Sequence, residues 1–124
     1  NITSDNPASD FGPVYSPDGK RIAFVRQTTK YFYADRARIM LYQRSDHANR
    51  GISENLDRSC SPVTWLANDH VAFDVEDRGF HRLYGIATPY GNGALPWTNL
   101  FTDVSISASR DGKRLVFLRS SFEM

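Results

Sequence analysis

The sequence predicts an all-β fold, a partial β-propeller with about two and a half four-stranded antiparallel blades. Three segments are near copies of one another: 13-PVYSPDGKRIAFVRQ-27, 62-PVTWLANDHVAFDVED-77 and 105-SISASRDGKRLVFLRS-120. The 124 residues also include eight Phe, six Tyr and two Trp, a composition that suits sheets, and no segment has sustained helical periodicity. Repeats of about 40–50 residues rich in strand formers are typical of propeller blades, which bury their faces by stacking on neighbours.

The spacing of the copies supports a regular repeat. The proline at position 13 recurs at 62 and the phenylalanine at 24 recurs at 73, an interval of 49 residues in both cases. A further phenylalanine follows at 117, and the letters DGKR of 18–21 return at 111–114. A single Asp-Gly turn between apolar runs predicts only a hairpin, whereas three copies in phase favour a propeller over a sandwich or an up-and-down barrel.

The first repeat predicts one complete blade over 13–55. Ser16-Pro17-Asp18-Gly19 suits a type I turn, with proline at the second position and glycine at the fourth. The predicted strands are a first strand that includes 14–15, then 21–26, 36–44 and a short strand near 48–53.

The second repeat predicts the same order of strands over 60–99, and the third supplies one hairpin over 103–120. The strands are predicted near 61–66, 70–76, 81–87, 93–98, 104–109 and 113–119, with Gly91-Asn92-Gly93 as a hairpin connection. Residues 1–12 are predicted to be the tail of a preceding blade. The turn in 65-WLANDH-70 lacks the Ser-Pro-Asp-Gly letters and one residue around them.

Pairs near the blade ends give further markers of the repeat. Ile2-Thr3, Ile52-Ser53 and Trp97-Thr98 each place a bulky residue and a hydroxyl residue just before a polar linker. Leu41-Tyr42 and Leu83-Tyr84 form another matching pair, 42 residues apart.

Composition and charge argue against two classes of protein, those that bind nucleic acids and those that cross a membrane with a helix. The formal net charge of +1 gives no basis for a nucleic-acid partner, and no apolar run is long enough for a transmembrane helix. The first residues lack both Met and a signal segment, so we expect an internal cut there. Cys60 has no second cysteine for a disulfide.

The sequence offers no catalytic residue, metal site or cofactor site. His47, His70 and His81 lack cysteine or carboxylate partners at metal-ligand spacing, so structural roles are favoured for all three. No Gly-x-Ser-x-Gly motif and no glycine-rich phosphate loop is present. Cys60 lies in a linker without a motif around it, which favours a buried small residue.

Five charged residues are the remaining candidates for a site. Asp57 and Arg58 follow a fourth strand, and Glu76, Asp77 and Arg78 link the second and third strands of the next blade. Arginine contacts carboxylates with two prongs, so these residues can form ion pairs between blades. They can equally line a rim and meet the charged end of a peptide. The structural role is favoured.

The ordered set of motifs resembles the propeller of the prolyl oligopeptidase family of serine peptidases, and within it the dipeptidyl peptidase V and acylaminoacyl peptidase branch. The segments that carry the resemblance are NPASDFGPVYSPDGKRIAFVRQ, YFYADRARIMLYQR, NLDRS and VEDRGFHRLYGI, so that it extends over 5–120. Glu76-Asp77 lies in a different motif context from the acidic pair that binds the substrate amino terminus in the dipeptidyl peptidase IV branch.

The resemblance implies a non-catalytic segment that gates and positions short peptides for a separate α/β-hydrolase domain of the same parent chain. That domain would hold the Ser-Asp-His triad, none of whose residues can be carried onto this chain. The resemblance is compatible with a periplasmic, secreted or cytoplasmic parent, so the localisation stays unknown.

The alternative function is that of a TolB-like propeller acting as a protein-interaction module, which uses the same hairpins. The insertion at 27–38 argues against it, because TolB-type blades usually connect these strands more tightly. A third possibility, a self-contained small enzyme, is not supported, because the sequence shows no grouping of catalytic residues. Since terminal blades present apolar faces and open strand edges, we also expect the isolated fragment to self-associate.

Overall fold

The computed structural model describes residues 1–88, 93–98 and 102–120, and it confirms the all-β prediction for them. Ten strands and no helix occur in these residues, so that none of them forms a helix that could cross a membrane. The strands form two four-stranded antiparallel sheets and one two-stranded sheet.

Each four-stranded sheet follows chain order, so that every strand pairs with the next strand along the sequence. The first sheet contains β1 (Asp10–Tyr15), β2 (Arg21–Arg26), β3 (Arg38–Gln43) and β4 (Ala48–Gly51). The second contains β5 (Thr64–Leu66), β6 (His70–Asp77), β7 (Phe80–Ala87) and β8 (Leu95–Pro96). The third contains β9 (Thr102–Ala108) and β10 (Leu115–Ser120). Gly91 and Asn92 of the predicted connection lie outside the described residues.

The start of β1 differs from the predicted start of the first blade. The strand begins at Asp10, three residues earlier than position 13, and Asp10 pairs with Arg26. A bulge between Phe11 and Val14 makes this possible, because Gly12 takes a φ of 63° there. The extra residue of the bulge lets the strand continue past a proline that cannot donate to the ladder.

The two Asp-Gly turns of the sequence form the same hydrogen bonds. Gly19 N donates to Ser16 O at 2.8 Å, and Gly112 N donates to Ser109 O at 2.9 Å. The corresponding turn of the second sheet is one residue shorter, since Trp65 pairs with Val71 whereas Tyr15 pairs with Ile22. The turn within 65–70 thus lacks one residue, and Pro13 and Pro62 are one residue out of register although 49 residues separate them, because Val14 lies opposite Ala23 and Thr64 lies opposite Ala72.

The pairs Ile52-Ser53 and Trp97-Thr98 end the two four-stranded sheets in the same way. Ile52 N donates to Ile39 O at 3.0 Å, and the Ser53 hydroxyl accepts the Ile39 N–H at 2.9 Å. In the second sheet Trp97 N donates to Leu83 O at 2.7 Å, and the Thr98 hydroxyl accepts the Leu83 N–H at 3.0 Å. In both sheets the hydroxyl therefore accepts a hydrogen bond from a backbone N–H of the third strand, at a point beyond the end of the fourth strand.

The pairs Leu41-Tyr42 and Leu83-Tyr84 are not equivalent positions, which corrects one marker of the repeat. Met40 lies opposite Phe24, and Tyr84 lies opposite the corresponding Phe73. The letters are thus two residues out of register. The sequence pattern hides this shift, because successive side chains alternate between faces and a shift of two keeps both leucines on the buried face.

The second sheet packs between the first sheet and the β9–β10 hairpin. The Trp65 indole Nε1 donates to Val14 O of the first sheet at 3.1 Å, and the Thr64 hydroxyl donates to Ile106 O of the hairpin at 3.3 Å. Both sheets contribute to one buried apolar cluster, which includes Val25, Ile39, Leu41, Val71, Phe73 and Ile86. This packing holds the first sheet, the second sheet and the β9–β10 hairpin next to one another, so that the loops at their ends are neighbours.

Candidate functional site

The predicted charged residues lie along one edge of the packed sheets. The β1–β2 and β5–β6 turns share the opposite edge, where Asp18 N donates to the Asn68 Oδ1 atom at 2.8 Å. Because the strands are antiparallel, the connection 27–37, the linker 52–59 and the turn 78–79 all leave the sheets at the other end. We call these three segments the loop edge.

Arg58 joins the linker of the loop edge to the second sheet. Its NH1 atom lies 3.8 Å from Asp57 Oδ2, and its Nε lies 3.8 Å from Asp77 Oδ1. Both ion pairs are long and Asp57 is exposed, so each is worth at most about 1 kcal/mol. Asp77 is largely shielded from solvent and is bound more closely by Arg82, whose NH1 donates to Asp77 Oδ2 at 2.9 Å.

Glu76 and Arg78 stand apart from this group. Both side chains are exposed, and neither forms an ion pair within the described part of the chain. Arg78 and Gly79 have φ values of 55° and 83° and form a two-residue turn between β6 and β7, the combination that a type I′ hairpin requires. The structure thus brings together Asp57, Arg58 and Asp77. A substrate contact for any of the five residues stays a prediction.

Asp35 fixes the shape of the connection 27–37. Its Oδ2 accepts the backbone N–H groups of Thr28 at 2.6 Å and Thr29 at 2.9 Å. These two bonds, aided by the Arg38 guanidinium, lower the pKa of the Asp35 carboxyl to about 2. Gln27 closes the base of the loop, because its Nε2 donates to Asp35 O at 2.8 Å. The insertion is therefore folded back on itself by its own polar groups.

Further hydrogen bonds tie this connection to the linker. Ala37 N donates to the Ser59 hydroxyl at 3.0 Å, and Cys60 N donates to Ala37 O at 2.9 Å. The Arg36 guanidinium donates to the Leu56 carbonyl oxygen and pairs with Glu54 Oε2 at 3.2 Å. The connection and the linker consequently form one continuous surface.

Two ion pairs at this end of the sheets, each with a largely buried carboxylate, were missed by the sequence analysis. Arg26 Nε donates to Asp10 Oδ1 at 2.7 Å, and Arg26 NH1 donates to Asp5 Oδ2 at 3.0 Å. In the β9–β10 hairpin, Arg119 Nε donates to the fully buried Asp103 Oδ1 at 2.7 Å, and this bond lowers the pKa of Asp103. The sequence does carry a signal for these pairs. In each pair the arginine follows the aspartate by 16 residues, and the repeated DGKR letters lie at the same place between them.

In the second sheet Cys60 and Val75 occupy the equivalent register, where they form an isolated β-bridge. Both are buried, and burial raises the pKa of the Cys60 thiol to about 11. The thiol is therefore protonated at neutral pH and unsuited to act as a nucleophile. The second sheet, which lies between the other two, thus has an apolar pair at the register position where the first sheet and the β9–β10 hairpin each have an ion pair.

The histidines make individual contacts. The Tyr42 hydroxyl lies 2.7 Å from His47 Nδ1, His70 Nδ1 lies 3.1 Å from Asp69 Oδ1, and His81 Nδ1 lies 3.9 Å from Asp74 Oδ1. Within residues 1–88, 93–98 and 102–120, no three His, Cys, Asp or Glu side chains are grouped so as to hold a metal ion.

The described residues line two cavities on the first sheet. One of about 380 Å³ lies against the apolar face of β1 and β2, where Phe11, Tyr15 and Ile22 contribute to its wall. The other, of about 200 Å³, lies at the loop edge between residues 29–33 of the connection and the segment 7–9. The second cavity is thus lined by the connection 27–37 and by residues that precede β1.

The chain is similar to proteins named dipeptidyl-peptidase 5. It is 33% identical over 106 residues to the probable dipeptidyl-peptidase 5 of Aspergillus niger, which covers 80% of this chain and 14% of that protein. It is 32% identical over 103 residues to that of Aspergillus oryzae, with 82% and 14% covered. For the protein of Trichophyton tonsurans the values are 35% over 74 residues, with 58% and 10% covered. No protein-family model matches the chain.

The chain thus spans about a seventh of the length of the Aspergillus relatives. The similarity supports a peptidase-related domain, a segment of a peptidase-type protein.

Proposed function

We propose that the chain is a non-catalytic β-propeller segment of a serine exo- or oligopeptidase of the dipeptidyl or acylaminoacyl peptidase type. The observation that carries the proposal is the 33% identity over 80% of the chain to a protein named as a probable dipeptidyl-peptidase. The prolyl oligopeptidase family, which the motifs resemble, combines such a propeller with a hydrolase domain.

The repeated geometry of the sheets supports the propeller. Both four-stranded sheets run in chain order, and both end their fourth strands with a hydroxyl that accepts the amide of a third-strand residue. The second sheet packs on the first through one face and on the β9–β10 hairpin through the other. Stacking of successive meanders is how blades bury surfaces that a single blade leaves exposed. In this proposal the two sheets are two blades, and the hairpin is the beginning of a third.

The proposed role is to gate and position short peptides for an α/β-hydrolase domain elsewhere in the parent chain. The contacts of the charged residues favour a structural role for them, because Arg58 and Arg82 both pair with Asp77 of the same chain. Chemistry would reside in the hydrolase domain, while the propeller would admit peptides by their size.

Kinetics of the parent protein test the gating role. The parent is expected to cleave a short peptide and to spare the same sequence when it lies within a folded protein. A variant of the parent that lacks the segment equivalent to this chain removes the barrier and is expected to lose that selectivity by size. Equal rates on both substrates in the intact parent would contradict the role.

A further inference from the structure

Three successive aromatic side chains of the loop edge project into solvent. The exposed fractions are 83% for Tyr31, 54% for Phe32 and 94% for Tyr33. Isolated exposed apolar residues are ordinary on protein surfaces, but a contiguous group of large aromatic side chains is typical of binding surfaces. We call residues 30–33 the aromatic loop.

The backbone of the aromatic loop is fixed. Gln27 Nε2 donates to Tyr33 O at 3.3 Å, and Asp35 N donates to Phe32 O at 3.0 Å. Tyr31 adopts a φ of 62°, a conformation that is unfavourable for a bulky side chain. Together with the Asp35 carboxylate at the base of the loop, these hydrogen bonds order the backbone that carries the rings. Tyrosine side chains on an ordered backbone serve as anchors in recognition loops.

The cavity of about 200 Å³ lies beneath the aromatic loop and carries one charged group. Among the described residues that line it, Lys30 is the only charged side chain, and its Nζ lies 4.8 Å from the centre of the Tyr31 ring. No carboxylate forms an ion pair with Lys30 in the described part of the chain. Among the residues that the structure describes, the site thus combines apolar rings with one cation that has no anionic partner.

We propose that the aromatic loop and the cavity beneath it bind a short peptide by its terminal carboxylate and the apolar side chain next to that carboxylate. Lys30 complements the negative charge, and Tyr31 and Tyr33 provide the faces on which the side chain packs. A cavity of about 200 Å³ holds a side chain or two and is small for a larger ligand. This inference rests on the proposed function in that short peptides are taken to be the substrates.

Equilibrium binding to the immobilised chain tests the proposal, since immobilisation keeps the copies apart. The probe is acetyl-Ala-Ala-Phe with a free carboxylate, compared with the same peptide as its carboxamide. The acid is expected to bind about two- to fivefold more tightly than the amide, the range of an exposed ion pair. Lys30→Gln is expected to abolish this preference, and Lys30→Arg is expected to retain it. Lys20→Gln, which removes an exposed lysine at the opposite edge, is the matched control and should leave the preference intact.

A second variant separates the aromatic contribution from the charge. Tyr33→Ser is expected to weaken acid and amide alike by about fivefold or more, because it removes an anchor without touching Lys30. Its exposure makes a loss of folding unexpected, and an unchanged thermal midpoint serves as the check. Equal affinities for acid and amide in the unmodified chain, or a preference that survives Lys30→Gln, would overturn the proposal.

The outcomes also separate this inference from the proposed function. Hydrolysis of peptides by the parent protein, combined with no Lys30-dependent binding, overturns the carboxylate site alone. A Lys30-dependent preference in the chain, combined with a parent that hydrolyses no peptide, supports the site and overturns the peptidase role. A further outcome is that Tyr33→Ser disrupts assembly of the parent while no variant binds the peptide. That outcome would identify a protein interface and overturn the peptide proposal.

Discussion

The Arg26 guanidinium donates to the Asp10 carboxylate at 2.7 Å across the first two strands, and the pair is largely buried. The same register position of the β9–β10 hairpin holds Asp103 and Arg119, also at 2.7 Å. Between them, the second sheet holds the buried Cys60 and Val75. The repeat therefore keeps one position in which the first and second strands are joined, by charge in the outer sheets and by apolar contact in the middle one.

Asp10→Ala is expected to lower the free energy of unfolding by about 3 kcal/mol, because it leaves the buried Arg26 guanidinium with a weaker partner. Asp5→Ala removes that weaker, solvent-exposed partner and is expected to lower the free energy of unfolding by clearly less than Asp10→Ala does. Urea denaturation measures both values. Glu76→Ala is the control, since this exposed side chain forms no ion pair within the described residues. Equal costs for Asp5→Ala and Asp10→Ala would contradict the assigned geometry.

Gly12 and Ser105 occupy the same bulge in two repeats, with φ values of 63° and 58°. Ser105→Gly is expected to raise the free energy of unfolding by about 1 kcal/mol, because glycine adopts this conformation without steric cost. Gly12→Ala is expected to destabilise by more than about 1 kcal/mol, since a Cβ atom there would lie 3.0 Å from Pro62 Cβ in addition to the strained φ. Thermal unfolding compares the two variants, and a destabilising Ser105→Gly would show that the bulge conformation is wrong.

Asp35 is expected to make stability depend on pH. Its folded pKa of about 2 lies below the ordinary value of 3.8, so its ionised form stabilises the fold above about pH 4. This contribution decreases as the pH falls from about 4 and is lost near pH 2. The difference in unfolding free energy between the unmodified chain and Asp35→Asn should therefore shrink over this window. The exposed Asp57→Asn is the control and should differ from the unmodified chain by less than about 0.5 kcal/mol throughout. A difference for Asp35→Asn that stays constant from pH 5 to pH 2 is the contrary result.

The isolated chain is expected to self-associate. Val116 and Leu118 on β10 and Tyr15 on β1 are largely exposed, Phe11 on β1 is partly exposed, and burial of apolar area contributes about 25 cal/mol per Å². Sedimentation velocity at increasing concentration should detect oligomers, and the double variant Val116→Lys and Leu118→Lys should reduce them. Lys113→Gln, in the adjacent turn, is the control for general surface changes. A monomer over the whole concentration range would refute this expectation.

The strands and turns were predictable because their signals are local. Asp-Gly turns and β-branched runs act over a few residues, and the structure forms turns and strands where these signals occur. The hydroxyls of Ser53 and Thr98 accept the amides of the more distant Ile39 and Leu83, and only their recurrence in the repeat marked them in the sequence. The pairing of Arg58 with Asp77 depends on how two sheets pack, which no local pattern encodes. The fixed shape of the aromatic loop depends on Asp35, whose letter alone does not distinguish a capping carboxylate from a solvated one.

Hydrolysis of a dipeptide p-nitroanilide by the parent protein, measured beside this chain in isolation, tests the central claim most directly. We expect turnover by the parent, loss of that turnover when the nucleophilic serine of its hydrolase domain is replaced by alanine, and no turnover by the isolated chain. Turnover by the purified chain itself, or none by the intact parent with any dipeptide or acylated amino acid ester, would contradict a non-catalytic propeller segment of a peptidase.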